Sequence, residues 1–476
     1  MKQQTVRHVL TDIIGEWGLW QLNIVVFAIS LHIFMAINSL SVAFYAPTIK
    51  YWCADNNNNT IIGDVVNNQF HLICDRQGLA SLSQSLYMFG RALGGVIFGC
   101  LSDRFGRIPI LGLTLLLEIM AGLSSALAIN ILQFTIARTV LGFVANGRYL
   151  CTIMLVTECL DSKYRVHLGI VLSFGLSMGY CLLPGIAYLL PNFRHMILAT
   201  IIPEFVWLLW LLWIPESPRW LIANRQWNRL ERLVRQAVQM NSVSINDWQN
   251  QIKLLISQQN NENKRSYIWD VLKSPNLRRT TLIMFFTWFV NAFVYYGISL
   301  NIGDFGGNLF INFLVAGLIE FPSILLALVA LKYIGRRPLV AGLMYASGLS
   351  CLAVIPFIST TTTTTTTTVW PRITIALIGK FFIGCSFNII YPYTAEVYPT
   401  VVRQVGVATC SVAARVGSMI APFVKELNVY TGMSVVLTIF GSLSIADGVS
   451  VHFLPETRGQ QIADTIDEAE QLNSYR

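Results

Sequence analysis

The chain has 476 residues, 54% of them hydrophobic and only 12% charged, with a net charge of +8. Soluble domains carry about a quarter charged residues, so this composition excludes a water-soluble globular enzyme and places most of the chain in hydrocarbon. At about 20 apolar residues per crossing, the length holds twelve helical spans with loops. Where the basic residues lie decides whether their excess marks a nucleic-acid partner or a membrane topology.

Residues 1–19 are polar and run into an apolar stretch as long as a full span, without the small-residue cleavage site of a signal peptide. The first span is predicted at 20–46. A polar loop, 47–78, follows with Cys53 and Cys74, which can close a disulfide, and with the glycosylation acceptor Asn58-Asn59-Thr60. Spans at 79–101, 108–129, 132–156, 166–190 and 196–214 complete a first set of six. Residues 215–279 are polar and separate it from a second set at 280–302, 308–331, 339–359, 369–392, 405–424 and 433–454. Within that central segment, Asn224 to Met240 carries Arg225, Arg229, Arg232 and Arg235 and reads as an amphipathic helix lying on anionic headgroups. The nine-threonine run 360–368 reads as low-complexity loop filler, and residues 455–476 form a polar tail.

Of the 33 Lys and Arg, 23 fall on the side of the two termini and the other 10 on the opposite side or within spans. The positive-inside rule therefore predicts that both termini and the central segment are cytoplasmic. The basic excess is topological, and no nucleic-acid partner is expected. The nine cysteines lack metal-ligand spacing and there is no phosphate-binding glycine loop. Neither a metal, a cofactor nor an enzymatic activity is expected.

The two sets echo each other. Asp103-Arg104-Phe105-Gly106-Arg107 follows span two and Gly335-Arg336-Arg337 follows span eight. Glu158 ends span four with Arg165 seven residues on; Glu396 ends span ten with Arg403 seven residues on. Pro215-Glu216-Ser217 ends span six and Pro455-Glu456-Thr457 ends span twelve. The order of the markers predicts an all-α membrane protein of two pseudo-symmetric six-helix bundles, 20–214 and 280–454, related by an axis along the membrane normal. Carboxylates and guanidiniums at helix ends can form charge-assisted hydrogen bonds that break when a gate opens. Asp103, Arg104, Arg107, Glu158, Arg165, Glu216, Arg336, Arg337, Glu396, Arg403 and Glu456 are the gating candidates.

At these residues the chain resembles the major facilitator superfamily, through Gly99 to Arg107 and through Pro215-Glu216-Ser217-Pro218-Arg219-Trp220-Leu221. Gly15-Glu16-Trp17-Gly18, Asn301 to Phe313, Ala395 to Arg403 and Leu454 to Gly459 make it similar to the organic cation, organic anion and carnitine transporters of that superfamily. The likeness runs from about Gly15 to Glu470. It implies a multi-pass transporter, at the plasma membrane, that moves small organic ions by alternating access. A coupling ion, Na+ or H+, is left unassigned.

Ionisable and aromatic side chains deep in spans are costly and therefore functional candidates. At 1.5 Å per residue, Arg415 lies about 15 Å into span eleven, with Glu320 at a similar depth in span eight. Trp288, Asn291 and Tyr295 share a face of span seven, and Tyr149 is in span four. The resemblance implies that positions matching Tyr149, Trp288, Asn291, Tyr295, Glu320 and Arg415 line a central cavity, with aromatic faces available for an onium group. It also implies that arginine at the position of Arg415 goes with anions or carnitine, where cation-selective members carry a carboxylate. A guanidinium clamps a carboxylate, and Glu320 is then expected to receive the positive end of a zwitterion. Arg91 is expected to pair with Glu118 or, as the less favoured alternative, to reach the cavity. Arg138, Arg148, Lys380, Glu204 and Asp447 are intramembrane charges without an assigned role. Two other readings stay open: a sugar porter of the same superfamily, and a non-transporting receptor or scaffold that keeps the fold.

Overall fold

The structure is a computed structural model. It describes residues 14–45 except Glu16, residues 70 and 72, and residues 78–160, 162–241, 275–359, 366–399 and 402–460. Cys53, Cys74 and Asn58 lie outside the described residues, as do residues 360–365 of the threonine run and the side chain of Arg165.

Backbone groups in hydrocarbon have no water to bond, so each apolar run closes its own hydrogen bonds as a helix. Twelve described helices are long and apolar enough to cross a membrane, numbered here in chain order: helix 1 Leu19–Tyr45, 2 Gly78–Phe105, 3 Arg107–Ala126, 4 Ile131–Cys159, 5 Val171–Leu189, 6 Phe193–Trp213, 7 Pro275–Leu300, 8 Leu309–Tyr333, 9 Arg336–Ile358, 10 Val369–Val397, 11 Val405–Thr431 and 12 Met433–Val451. Helices 2, 4 and 10 continue about a turn past the ends expected from hydropathy. Hydropathy registers where the hydrocarbon ends, whereas the helix continues until a backbone break; Gly106, at φ 105°, supplies that break after helix 2.

The packing repeats with a shift of six. Helix 1 packs on 5 as 7 packs on 11, helix 2 on 4 as 8 on 10, helix 3 on 6 as 9 on 12, and helix 3 on 4 as 9 on 10. The halves join along two related seams, helix 2 against 11 and helix 5 against 8. In a membrane the drive for such seams is close van der Waals contact, which small residues permit. A Cβ on Gly94 of helix 2 would come 1.8 Å from the Phe143 carbonyl oxygen of helix 4, so the two backbones touch. Large apolar side chains of helix 6, among them Ile202, Val206, Leu209 and Leu212, point outward and more than half exposed, as a lipid-facing surface requires.

The central segment departs from expectation. Trp227–Asn241 is an amphipathic helix, but its apolar residues Leu230, Leu233, Val234 and Ala237 are buried against the end of the N-terminal half, in one cluster with Trp20, Ile24 and Trp220. Asn241 fastens it to helix 1, accepting from the Trp20 amide at 3.0 Å and donating to the Gln21 side chain at 2.9 Å. Protein rather than lipid covers its apolar face, because the stripe fits a shelf built by aromatic residues distant in sequence.

Candidate functional site

At the face that carries the ends of helices 2, 4 and 6, Arg107 bonds Asp103 at 2.7 Å and Glu158 at 2.7 and 3.1 Å. Glu216 receives the backbone amides of Arg107 and Ile108 at 2.9 and 3.2 Å, at the open N-terminus of helix 3. The second half repeats this. Arg336 bonds Glu396 at 2.9 and 3.0 Å, and Glu456 receives the amides of Arg336 and Arg337 at 2.9 and 3.2 Å. Arg336 stands 229 residues after Arg107, Glu396 238 after Glu158, and Glu456 240 after Glu216. Partial burial would raise the Glu456 carboxyl, but four backbone amides, from Arg336, Arg337, Thr457 and Arg458, outweigh that and hold it below the ordinary carboxylate range.

Each of these clusters closes within its own half. Glu396 is taken by Arg336 and by the Thr457 hydroxyl at 2.6 Å, while Nε and Nη2 of Arg403 have no hydrogen-bond partner among the described residues. Arg104 lies over its neighbour Phe105, away from the cluster.

Contacts between the halves run from the opposite face to the middle. Ser81 donates to Glu426 at 2.8 Å, the rings of Phe44 and Phe313 lie 4.8 Å apart, Tyr180 stacks on Phe313 at 5.3 Å, and Phe174 stacks on Phe321 at 5.6 Å.

In the middle, Arg415 of helix 11 is half-buried and its side chain donates to the Asn146 amide oxygen of helix 4, at 3.5 Å. Arg91 of helix 2, 3% exposed, donates to Ser39 at 3.1 Å and to the Tyr296 hydroxyl of the other half at 3.4 Å. Tyr149, Tyr296 and Tyr391 each lie within electrostatic reach of both guanidiniums. Among the described residues neither Arg91 nor Arg415 is paired with a carboxylate. The expected pairing of Arg91 with Glu118 does not form. Arg148 takes Glu118 instead, at 2.6 Å, because it rises from helix 4, which packs on helix 3 along much of its length.

Glu320 belongs to a second group. It accepts from Tyr295 at 2.9 Å and forms an ion pair with buried Lys380. The ammonium lies 4.5 Å from the Tyr180 ring centroid and 4.9 Å from that of Tyr295. The carboxylate expected to await a positive group is therefore already neutralised from within. Trp288 and Asn291 are fully buried one layer back. The Trp288 indole donates to Thr394 at 2.9 Å and meets Tyr391 edge-on at 4.4 Å, and the Asn291 amide donates to the Thr287 carbonyl at 2.9 Å. Arg138 donates to Gln84 and lies 4.9 Å from the Tyr87 ring centroid; Asp447 accepts from Thr287 at 2.7 Å.

Tyr149, Tyr295, Glu320 and Arg415 thus come to the middle, with Trp288 and Asn291 behind them. Sequence reasoning missed Asn146, Tyr180, Tyr296 and Tyr391 there. The adjacent pair Tyr295-Tyr296 carried a signal for Tyr296, since neighbouring residues on one helix point about 100° apart and can serve two groups.

The family model described as sugar (and other) transporter matches residues 19–468. The organic cation transporter protein of Drosophila melanogaster is 34% identical over 409 residues, covering 84% of this chain and 73% of that protein. Solute carrier family 22 member 3 of Mus musculus is 33% identical, covering 85% and 72%. Organic anion transporter 3 of Oryctolagus cuniculus is 30% identical, covering 89% and 77%. Among solved structures, an inward-open conformation of the xylose transporter XylE from E. coli superposes with a TM-score of 0.69 at 18% identity, over 95% of this chain and 98% of that one. A fold of two six-helix halves, a family model spanning nearly the whole chain and relatives that are transporters rather than enzymes agree: the chain belongs to the sugar (and other) transporter family of the major facilitator superfamily, among the organic cation and organic anion transporters of solute carrier family 22.

Proposed function

We propose that the chain moves small organic anions or carnitine-like zwitterions in preference to simple organic cations, by alternating access at the plasma membrane, with both termini cytoplasmic. The observation that carries the reading is the pair of guanidiniums, Arg91 from one half and Arg415 from the other, that meet around Tyr149, Tyr296 and Tyr391 with no carboxylate bonded to either among the described residues. A cation removed from water without a partner is unfavourable, and an anionic ligand supplies what is missing. A carboxylate held between them would also tie the halves together, which is how a ligand biases a rocking equilibrium.

The neutralised Glu320 weakens the case for a simple cation. It leaves the aromatic faces, rather than a free carboxylate, to hold the positive end of a zwitterion. The relatives include both cation and anion transporters, so these central residues, rather than family membership, support the charge preference. The helix-end clusters around Arg107 and Arg336 hold each half as a unit, so opening moves the halves past one another rather than unravelling either.

The test is uptake of radiolabelled carnitine, urate and tetraethylammonium into proteoliposomes, by wild type and Arg415→Asp. Carnitine or urate uptake is expected in wild type and lost in the variant. Unchanged uptake with the carboxylate installed would refute the role of Arg415. Competition by glucose instead would favour a sugar porter, and binding without flux a receptor.

A further inference from the structure

Helices 3, 4 and 6 meet around three ionisable side chains that belong neither to the central group nor to the helix-end clusters. Glu118, Arg148 and Glu204 are all buried. Arg148 Nε lies 2.6 Å from Glu118 Oε2, its Nη2 donates to Glu118 Oε1 at 2.9 Å, and its Nη1 donates to the Leu31 carbonyl of helix 1 at 3.0 Å. Glu204 adjoins the Glu118 carboxyl. The contact is fixed by the packing of helices 3 and 6 one turn away, where a Cβ on Gly122 would meet Ile201 at 2.2 Å. Among the described residues, no amide, hydroxyl or guanidinium donates to either Glu204 oxygen.

Other groups face the cluster. Asn38 of helix 1 adjoins Glu118, and His32 of helix 1 is within electrostatic reach of Arg148. Tyr87 of helix 2 is within reach of Glu118, Arg91 and Arg138. Arg91 and Arg138 are already engaged elsewhere, with Ser39 and Tyr296 and with Gln84. That leaves two carboxyls for one closely bonded guanidinium. Glu118 stands eleven residues from Arg107, Arg148 eleven from Cys159 and Glu204 nine from Trp213, so all three lie about 14–17 Å from one face, near the middle of the bilayer. Two adjoining carboxylates beside a single guanidinium there repel each other, which favours a proton on one of them, and a hydrogen bond between carboxyls needs that proton.

A route to the central space is also present. His32 Nδ1 is 2.7 Å from the Ala28 carbonyl, which places the ring proton on Nδ1 and leaves Nε2 as an acceptor. That Nε2 is buried without a partner among the described residues, and the ring lies 5.2 Å from Tyr149, the residue next to Arg148.

We propose that Glu118 and Glu204, held by Arg148, form a proton-binding site whose loading and release couple proton movement to substrate movement. In release, the proton leaves the carboxyl pair for water admitted from the central space past His32, giving hydronium and leaving both carboxylates ionised beside Arg148. Separation of helices 3 and 6 from Arg148 is not required; a change in solvent access to His32 suffices. The coupling rests on the transport reading above, whereas the bound proton does not.

Two measurements test it separately. Infrared spectroscopy of the purified full-length protein at neutral pH is expected to show the carbonyl stretch of a protonated carboxyl, lost in Glu204→Gln. Glu118→Gln is expected to lose it too, because Glu204 then ionises against Arg148; this serves as the second variant should the first not elute as a folded species. In proteoliposomes, the ratio of carnitine or urate uptake with and without an inward acid gradient is expected to exceed one in wild type and to fall to one in Glu204→Gln. A wild type without the band, or a band that persists in both variants, overturns the site. A wild-type ratio of one during active counterflow overturns the coupling. If none of carnitine, urate and tetraethylammonium moves at all, the coupling falls with the transport reading, and the band still decides the site.

Discussion

Lys380 and Glu320 show how a single buried charge depends on its partner. The ammonium is fully buried against Tyr180 and Tyr295, so its energy rests on the carboxylate and the two ring faces. Removing one member of such a pair strands the other, which typically costs about 3–5 kcal/mol, whereas replacing both by neutral groups costs far less. Glu320→Gln is therefore expected to lower the thermal stability of the detergent-solubilised protein sharply. Glu320→Gln combined with Lys380→Met should recover most of the loss, and a double variant as unstable as the single one would contradict this account. The candidates Glu320, Tyr295 and Arg415 were legible in the sequence because charge and phenol in an apolar run stand out. That Glu320 is already spoken for was not legible, since Lys380 lies 60 residues away on another helix.

Helix packing divides the glycines of one helix into two kinds. Gly94 of helix 2 meets the Phe143 carbonyl oxygen, while nothing lies within 4 Å of a Cβ placed on Gly99, five residues further on. Gly94→Leu is expected to abolish recovery of a monodisperse protein in size-exclusion chromatography, and Gly99→Leu to leave it unchanged, because only the first separates two backbones in contact. The helix at Trp227–Asn241 gives a second test at this scale. Leu233 is buried in the shelf with Trp20 and Trp220, and a buried leucine contributes about 1.5–3 kcal/mol. Leu233→Asp should release this helix and expose it to limited proteolysis. Cleavage no faster than in wild type would mean that the docked face matters little. Its amphipathic period was plain in the sequence; what covers the apolar stripe was not, since lipid and protein present the same apolar surface.

Across the whole molecule, a helix-end carboxylate of the second half ties stability to pH. Glu456 is held below the ordinary carboxylate range by backbone amides, so its contribution to stability is complete above that range and is lost as the pH falls through its lowered value. The expected outcome is a drop in unfolding temperature on acidification below the usual carboxylate range. The part due to Glu456 should be absent in Glu456→Gln, and an identical acid profile for that variant would remove Glu456 from the account. Orientation belongs to this scale as well. With 23 of 33 basic residues on the side of the termini, epitope tags at the two ends are expected to be reachable from the cytoplasmic side of the membrane only.

The sequence by itself determined that twelve helices are embedded in a membrane, that they repeat as two sets of six, and that charges mark the same helix ends in both. Those properties follow from hydrophobic length and from residue order, which are local along the chain. Only the tertiary structure decided which charge meets which: Arg148 rather than Arg91 on Glu118, Lys380 on Glu320, and Arg91 and Arg415 left facing three tyrosines across the seam between halves. A helix fixes the depth of a side chain by counting residues, but its partner is chosen by the rotation and neighbours of whole helices, and no local pattern encodes that.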